Sequence, residues 1–306
     1  MNKRIIALGS SICMTAALLV ATQTATAPHA EAASAQPTAF SYYVKVNNPD
    51  WAYNVGYALG STAYNTSGTQ RFTAILDFGG MTLSGSTWML NEWTAPDITL
   101  AQAGEMVYRF GWGFYVGASS DTTSIVYVGL GTNSSGNMNV AGAAALATQA
   151  VGTNNRFASL RYKQVFVVGA NDFEGGWASG IADVNWFDSY MGVSGRPNLF
   201  NYGSANSCPY WDPDYTKKPA STSPWCTGGL TAEQIWHLSW AVAAYPVPEI
   251  YATSGVNARQ WKWLSYYAYM NHGSYFSFQG VMTEYNACLQ KGGCASGTAN
   301  AIDQRP

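Results

Sequence analysis

Charge is scarce in this sequence. Lysine and arginine number 15 and aspartate and glutamate 17, so charged residues form 10% of the 306-residue chain, against roughly 25% in typical soluble domains. The formal net charge is −2, and no cationic run exceeds Lys217-Lys218. A nucleic-acid partner, which demands many phosphate-neutralising side chains, is disfavoured. Histidine is rarer still: beyond the N-terminal leader only His237 and His272 remain, too few for a histidine-rich metal site. Gly-x-Ser-x-Gly, His-Glu-x-x-His, phosphate-loop and Cys-x-x-Cys motifs are all missing. Gly111, Gly113 and Gly117 lack the spacing of a dinucleotide-binding loop. No cofactor and no metal is expected, and no loop has the spacing of a dedicated calcium site.

Long apolar runs are absent except at the start. Lys3-Arg4, the mostly apolar stretch Ile5 to Val20 and the Ala-x-Ala steps at Ala30–Ala32 and Ala33–Ala35 read as a signal peptide over residues 1–35. The run is broken by Gly9, Ser10 and Ser11 and falls short of the ~20 residues that a membrane span needs. The expectation is a secreted protein, extracellular or cell-wall associated, with no membrane span after processing. Removing Cys13 with the leader leaves Cys208, Cys226, Cys288 and Cys294. An even number in an oxidising compartment reads as two disulfides. Three pairings exist; Cys208–Cys226 and Cys288–Cys294 are preferred because each closes a local loop rich in turn residues.

What the chain has in abundance is aromatic rings: 12 Trp, 20 Tyr and 12 Phe. Such a density cannot all be hidden, so some rings should line a cleft and stack on a ligand. Short apolar runs alternate with segments of helical length from about Arg71 onward, which argues for an α/β fold with a largely parallel sheet. The expected strands are Phe72–Phe78, Ile125–Leu130, Val165–Ala170, Asn198–Tyr202, Val247–Tyr251 and Tyr275–Gln279. Capping boxes at Thr99/Gln102, Thr231/Gln234 and, approximately, Asn257/Gln260 open helices, as does Asn48-Pro49. Together these fit one TIM-type (β/α) barrel over residues 36–306, with strands still to be found near Tyr42–Val46 or Gly111–Gly117 and a disulfide-closed insertion at Ser204–Gly229. An open doubly wound sheet is the alternative.

In either architecture the working face lies at the carboxyl ends of the strands. Reading to those ends gives Asp77, Thr132-Asn133, Asp172 with Glu174, Asn201, Glu249 beside Tyr251, and Gln279 with Glu284 beyond it. Asp172 and Glu174 form the sharpest pair, since i and i+2 on a strand share a face about 6.6 Å apart. Two carboxyls in an aromatic cleft perturb each other, so that one stays protonated as an acid while its neighbour is ionised. Glycosidic cleavage uses that division of labour. Trp177, Trp211 and Trp225 sit on expected loops where a ring can stack on a sugar face. Plainer roles stand beside these: Asp172 as a loop cap, Asp77 as a hydrogen-bonded fold determinant, Glu249 in an ion pair, His237 as a packing residue.

Asp172-Phe173-Glu174 at the end of a mid-chain strand, Asp77 ending an early strand and Gln279 in a late one resemble the lysozyme-type and chitinase-type glycoside hydrolase barrels. That resemblance implies Glu174 as proton donor, Asp172 as the orienting or stabilising carboxylate and Asp77 on the floor of the site. The two further aspartates of the chitinase pattern are replaced by Val168-Gly169-Ala170-Asn171. The Val-Ser that follows the lysozyme-type aspartate is replaced by Phe78-Gly79-Gly80. The expected function is a secreted hydrolase acting on a polysaccharide or cell-wall glycan. Asp77, Asp172, Glu174 and Glu249 are the candidate catalytic groups, and Asn201, Tyr251, Gln279, Trp177 and Trp211 the candidate substrate-binding ones. The alternative is a catalytically inactive barrel that binds a glycan or a cell-surface partner.

Overall fold

The computed structural model describes residues 38–92, 96–134, 138–176, 178–205, 208–209, 226, 229–250, 252 and 254–282, all within a compact unit running from Ala35 to Pro306. Helices begin where the sequence supplies a cap. Asn48 accepts from the Trp51 N–H and Pro49 opens α1 (Pro49–Asn65), a position where the missing proline N–H costs nothing. Reciprocal capping boxes start α2 (Leu100–Ala118) at Thr99 and α5 (Ala232–Trp240) at Thr231. Asn139 and Ser179 cap α3 (Val140–Leu160) and α4 (Gly180–Met191). The last helix, α6 (Val256–His272), starts after Gly255 rather than Asn257, because the Asn257 side chain turns back to accept from the Ala252 N–H.

Between the helices run β1 (Thr38–Tyr43), β2 (Arg71–Asp77), β6 (Ile125–Asn133), β7 (Val165–Asp172), β8 (Leu199–Asn201), β9 (Ala244–Pro246) and β10 (Val281–Met282). They form one parallel sheet in the order β10-β1-β2-β6-β7-β8-β9. A separate antiparallel excursion, β3 (Gly79–Ser84), β4 (Thr87–Glu92) and β5 (Ile98–Thr99), follows β2. The parallel sheet curls into a half-barrel. Past β9 the Ile250 N–H donates to the Met282 carbonyl and the Met282 N–H to the Pro248 carbonyl. The expected (β/α) barrel is thus present as seven parallel strands among the described residues, and a closed TIM-type ring is not shown by them. Tyr275–Gln279 is not a strand; pairing begins at Val281, where Thr38 offers a partner. Gly111–Gly117 lies inside α2.

Both faces of the sheet are covered, as parallel sheets require. Ala74, Leu76, Val126, Val128, Val165, Val167 and Leu199 point outward into the core shared with the helices. Their neighbours Ile75, Val168, Ala170, Phe200 and Tyr202 point inward, with Ala39, Val247 and Met282, to fill the hollow of the curl. At the lower end of the sheet β8 starts only opposite Gly169, leaving Val165–Val168 with no strand on that flank. Asn154 of α3 stands in for the strand: its amide donates to the Val167 carbonyl at 2.7 Å and accepts from the Val167 N–H at 2.8 Å. Cys208 and Cys226 are joined in a disulfide, as expected; Cys288, Cys294 and residues 1–35 lie outside the described residues.

The glycines of α2 serve helix packing. Gly113 and Gly117 face the carbonyls of Tyr53 and Tyr57, while Gly56 and Gly60 of α1 face those of Phe110 and Phe114. A Cβ at any of the four collides with main chain rather than with a side chain that could swing away. Gly56→Ala or Gly113→Ala should therefore lower stability in urea unfolding by about 1–3 kcal/mol or more. Gly152→Ala, in α3 where a Cβ meets nothing, should raise it by about 0.5–1 kcal/mol.

Candidate active site

Strand alternation decides which polar side chains reach the upper mouth of the curl. Asp77 is two residues beyond the inward Ile75, Asp172 two beyond Ala170, and Glu249 two beyond Val247. The three thus share the inward face at the carboxyl ends of β2, β7 and the segment after β9. Tyr202, two residues past Phe200 and 2% exposed, stands among them. Its hydroxyl donates to the Thr132 carbonyl at 2.7 Å. Burial first, then the charges of Asp77, Asp172 and Glu249, and last Tyr43, hold this phenol far above its ordinary pKa, so it stays neutral and keeps its proton.

The carboxyls differ in their surroundings. Asp77 is 3% exposed and its Oδ1 accepts from the Gly79 N–H at 2.8 Å. Glu249 is 6% exposed, and its backbone bridges to Met282. Asp172 is half-buried; its carbonyl accepts from the Ser134 N–H, and its Oδ1 lies 2.9 Å from where a Cβ on Gly203 would be. Glycine at 203 thus makes room first for the Phe173 carbonyl, whose oxygen is the nearest atom to such a Cβ, and then for this carboxylate. Glu174 lies past the end of β7, half-buried, just before the isolated Gly175–Ala178 bridge. Phe173 packs outward against Trp186, and Glu174, past the end of the strand, is not among the charges felt by Tyr202.

Other expected site residues lie elsewhere. Asn201 faces outward: its amide donates to the Ser239 hydroxyl of α5 at 2.8 Å and its Oδ1 accepts from the Gly203 N–H. Gln279 precedes β10, donating its N–H to the Pro246 carbonyl and accepting from the Thr73 hydroxyl. Thr73 lies four residues below Asp77, about 13 Å down the strand, so Gln279 is remote from that acid. His237 of α5 bonds Asp188 of α4 at 2.8 Å. Trp177, Trp211, Tyr251, Trp225 and Glu284 lie outside the described residues. Among the described residues no cluster of three or more His, Cys, Asp or Glu is arranged to hold a metal ion.

Sequence reading missed Tyr202 and Asp183. Alternation from Phe200 would have placed Tyr202 inside. Asp183 shares the core-facing stripe of α4 with Trp186, Phe187 and Tyr190, where an acid is out of place. It ends a polar chain on the outer side of the mouth. The Thr132 hydroxyl donates to Asn171 Oδ1, the Asn171 amide to Ser134 Oγ, and Ser134 Oγ to Asp183 Oδ1. Asp183 Oδ2 is buried without a hydrogen bond among the described residues.

Burial pushes the Asp183 carboxyl up to about 7, against a smaller opposing pull from Ser134. The folded state thus holds a proton that the unfolded chain releases near pH 4, and stability from this group is full below that pH and lost as pH rises through 7. Denaturant unfolding between pH 4 and 8 should show a decline on the order of 2–4 kcal/mol in the native protein. Asp183→Asn should abolish that decline.

No family model, curated protein or solved structure matches this chain.

Proposed function

We propose that the protein is an exported hydrolase that cleaves a polysaccharide or cell-wall glycan at the upper mouth of its curled sheet. The observation that carries this reading is the gathering of Asp77, Asp172 and Glu249, from three separate strand ends, around one buried tyrosine hydroxyl. Acids are few in this chain, and three of them act on this one buried phenol. Repulsion among carboxylates in a partly dry mouth favours keeping one protonated, and an enclosed one is the natural donor. Glu249, 6% exposed, takes that role, because the similarly enclosed Asp77 accepts from the Gly79 N–H, a bond that favours its ionised form. Asp172, half-exposed, is the ionised partner that activates water or stabilises positive charge on the sugar. Tyr202, neutral and fixed on Thr132, spaces the carboxyls. Glu174, past the end of β7, meets sugar hydroxyls. The leader and the Cys208–Cys226 disulfide support export.

One observation favours the binding-only alternative. The Asp77 carboxylate already serves the β2–β3 turn through Gly79, so part of the acidic mouth has structural work.

The test is release of reducing ends from a panel of plant, chitin-type and bacterial cell-wall glycans. Glu249→Gln and Asp172→Asn should each lower turnover by about 100-fold or more, and Glu174→Gln by about tenfold or less. Hydrolysis at the native rate in both former variants would remove the assignment of roles. Saturable glycan binding without turnover would instead establish the inactive barrel.

A further inference from the structure

At the opposite end of the sheet from the acids lies a cavity of about 690 Å³, inside the ~300–1,000 Å³ range of small-molecule sites. It exists because β8 begins late: beside Val165–Val168, where a neighbouring strand would run, the Asn154 amide and the Pro197-Asn198 approach occupy the flank among the described residues. Its walls are flat rings. Phe166, 41% exposed, and Tyr127 lie 5.5 Å apart, with Phe157 and Tyr162 on the other side of the β7 edge.

The charge at its rim has one sign. Arg161 and Lys163 line the cavity and, among the described residues, no carboxylate does. Among the described residues neither cation makes an ion pair or a side-chain hydrogen bond, whereas Arg109 and Arg156 share Glu105. Nor are these two cations consumed in capping α3, since the Phe157 and Ala158 carbonyls accept from the main-chain N–H groups of Tyr162 and Arg161. A third cation, Arg71, sits over the Tyr127 ring at 6.0 Å. Asp121, on a turn at the same end, spends its carboxylate on Thr123 and Ser124. Arg161 also holds φ at 60°, in the left-handed region where helix ends strongly prefer glycine. An arginine kept there at a cost to the backbone, with its guanidinium unspent, points to work outside the fold.

We propose that this cavity binds an anionic ligand with a flat apolar face. Its source is either a free aromatic acid or the acidic sugar of a polyuronic glycan. The rings take the flat face, and Arg161 with Lys163 takes the anion. The site is independent of the mouth acids and of the hydrolytic reading.

Calorimetric titration of the mature chain with 2-naphthoate, its uncharged analogue 2-naphthamide and trigalacturonate tests this. Naphthoate or trigalacturonate should bind saturably, with naphthamide at least about tenfold weaker than naphthoate if the free acid is the ligand. Which acid binds separates the two sources. Arg161→Gly should weaken binding about tenfold or more while its melting temperature stays at or above native, because glycine relieves the left-handed backbone. Loss of binding therefore cannot be blamed on misfolding. Glu249→Gln should leave the binding intact. The proposal is overturned by no saturable binding of either acid, by equal affinity for naphthamide, or by binding that survives Arg161→Gly combined with Lys163→Gln.

Discussion

Because a strand sends successive side chains to opposite faces, each of β2, β7 and β8 divides its residues between the hollow of the curl and the helical shell. Everything distinctive about the molecule follows from that division. Hydrophobic residues take both sides along most of each strand, with Ser41 and Thr73 the small buried exceptions, so the acids and amides gather where the strands end. There the inward set becomes Asp77, Asp172, Tyr202 and Glu249, and the outward set becomes Asn171 and Asn201. The outward amides are used up by Thr132, Ser134 and Ser239. A shift of one residue in β7 would exchange Asn171 with Asp172 and turn an acidic mouth into an amide-lined one.

The two sets are nevertheless joined. The Tyr202 hydroxyl ends on the Thr132 carbonyl, and the Thr132 side chain starts the run of hydrogen bonds that finishes at Asp183. Ser134 touches both sides, holding the Asp172 carbonyl with its N–H while its hydroxyl serves Asp183. The inner acids and the buried acid under α4 thus share one scaffold at the tips of β6 and β7, and strain in either is felt by the other.

Local signals were legible in the sequence where they are complete within a few residues. Thr99 with Gln102, Thr231 with Gln234, and Asn48 before Pro49 each contain the whole of their capping chemistry. The strand-end rule picked out Asp77 and Asp172 for a similar reason, since apolar runs show where a strand stops; Glu249 was reached through an expected strand, Val247–Tyr251, whereas β9 runs over Ala244–Pro246. Signals that need a distant partner were not legible. The Gly113-x-x-x-Gly117 pair has meaning only against Gly56 and Gly60 of another helix. The short strands β9 and β10 carry too few residues to announce themselves, so Gln279 was set at the wrong end of its strand. Tyr202 ends the expected strand Asn198–Tyr202, but a rule that seeks acids and amides there selects Asn201, on the opposite face, instead; Asp183 was hidden in a helix whose apolar stripe masked it.

The amide of Asn154 has a consequence outside the fold itself. A strand with a bare flank offers its unmatched main-chain groups to any passing chain, the usual route to edge-to-edge polymerisation. By engaging both polar groups of Val167, one side chain denies that template to strangers and leaves the neighbouring space open to molecules too small to be a strand. A single asparagine thus withholds the edge on which a second copy could otherwise add a strand.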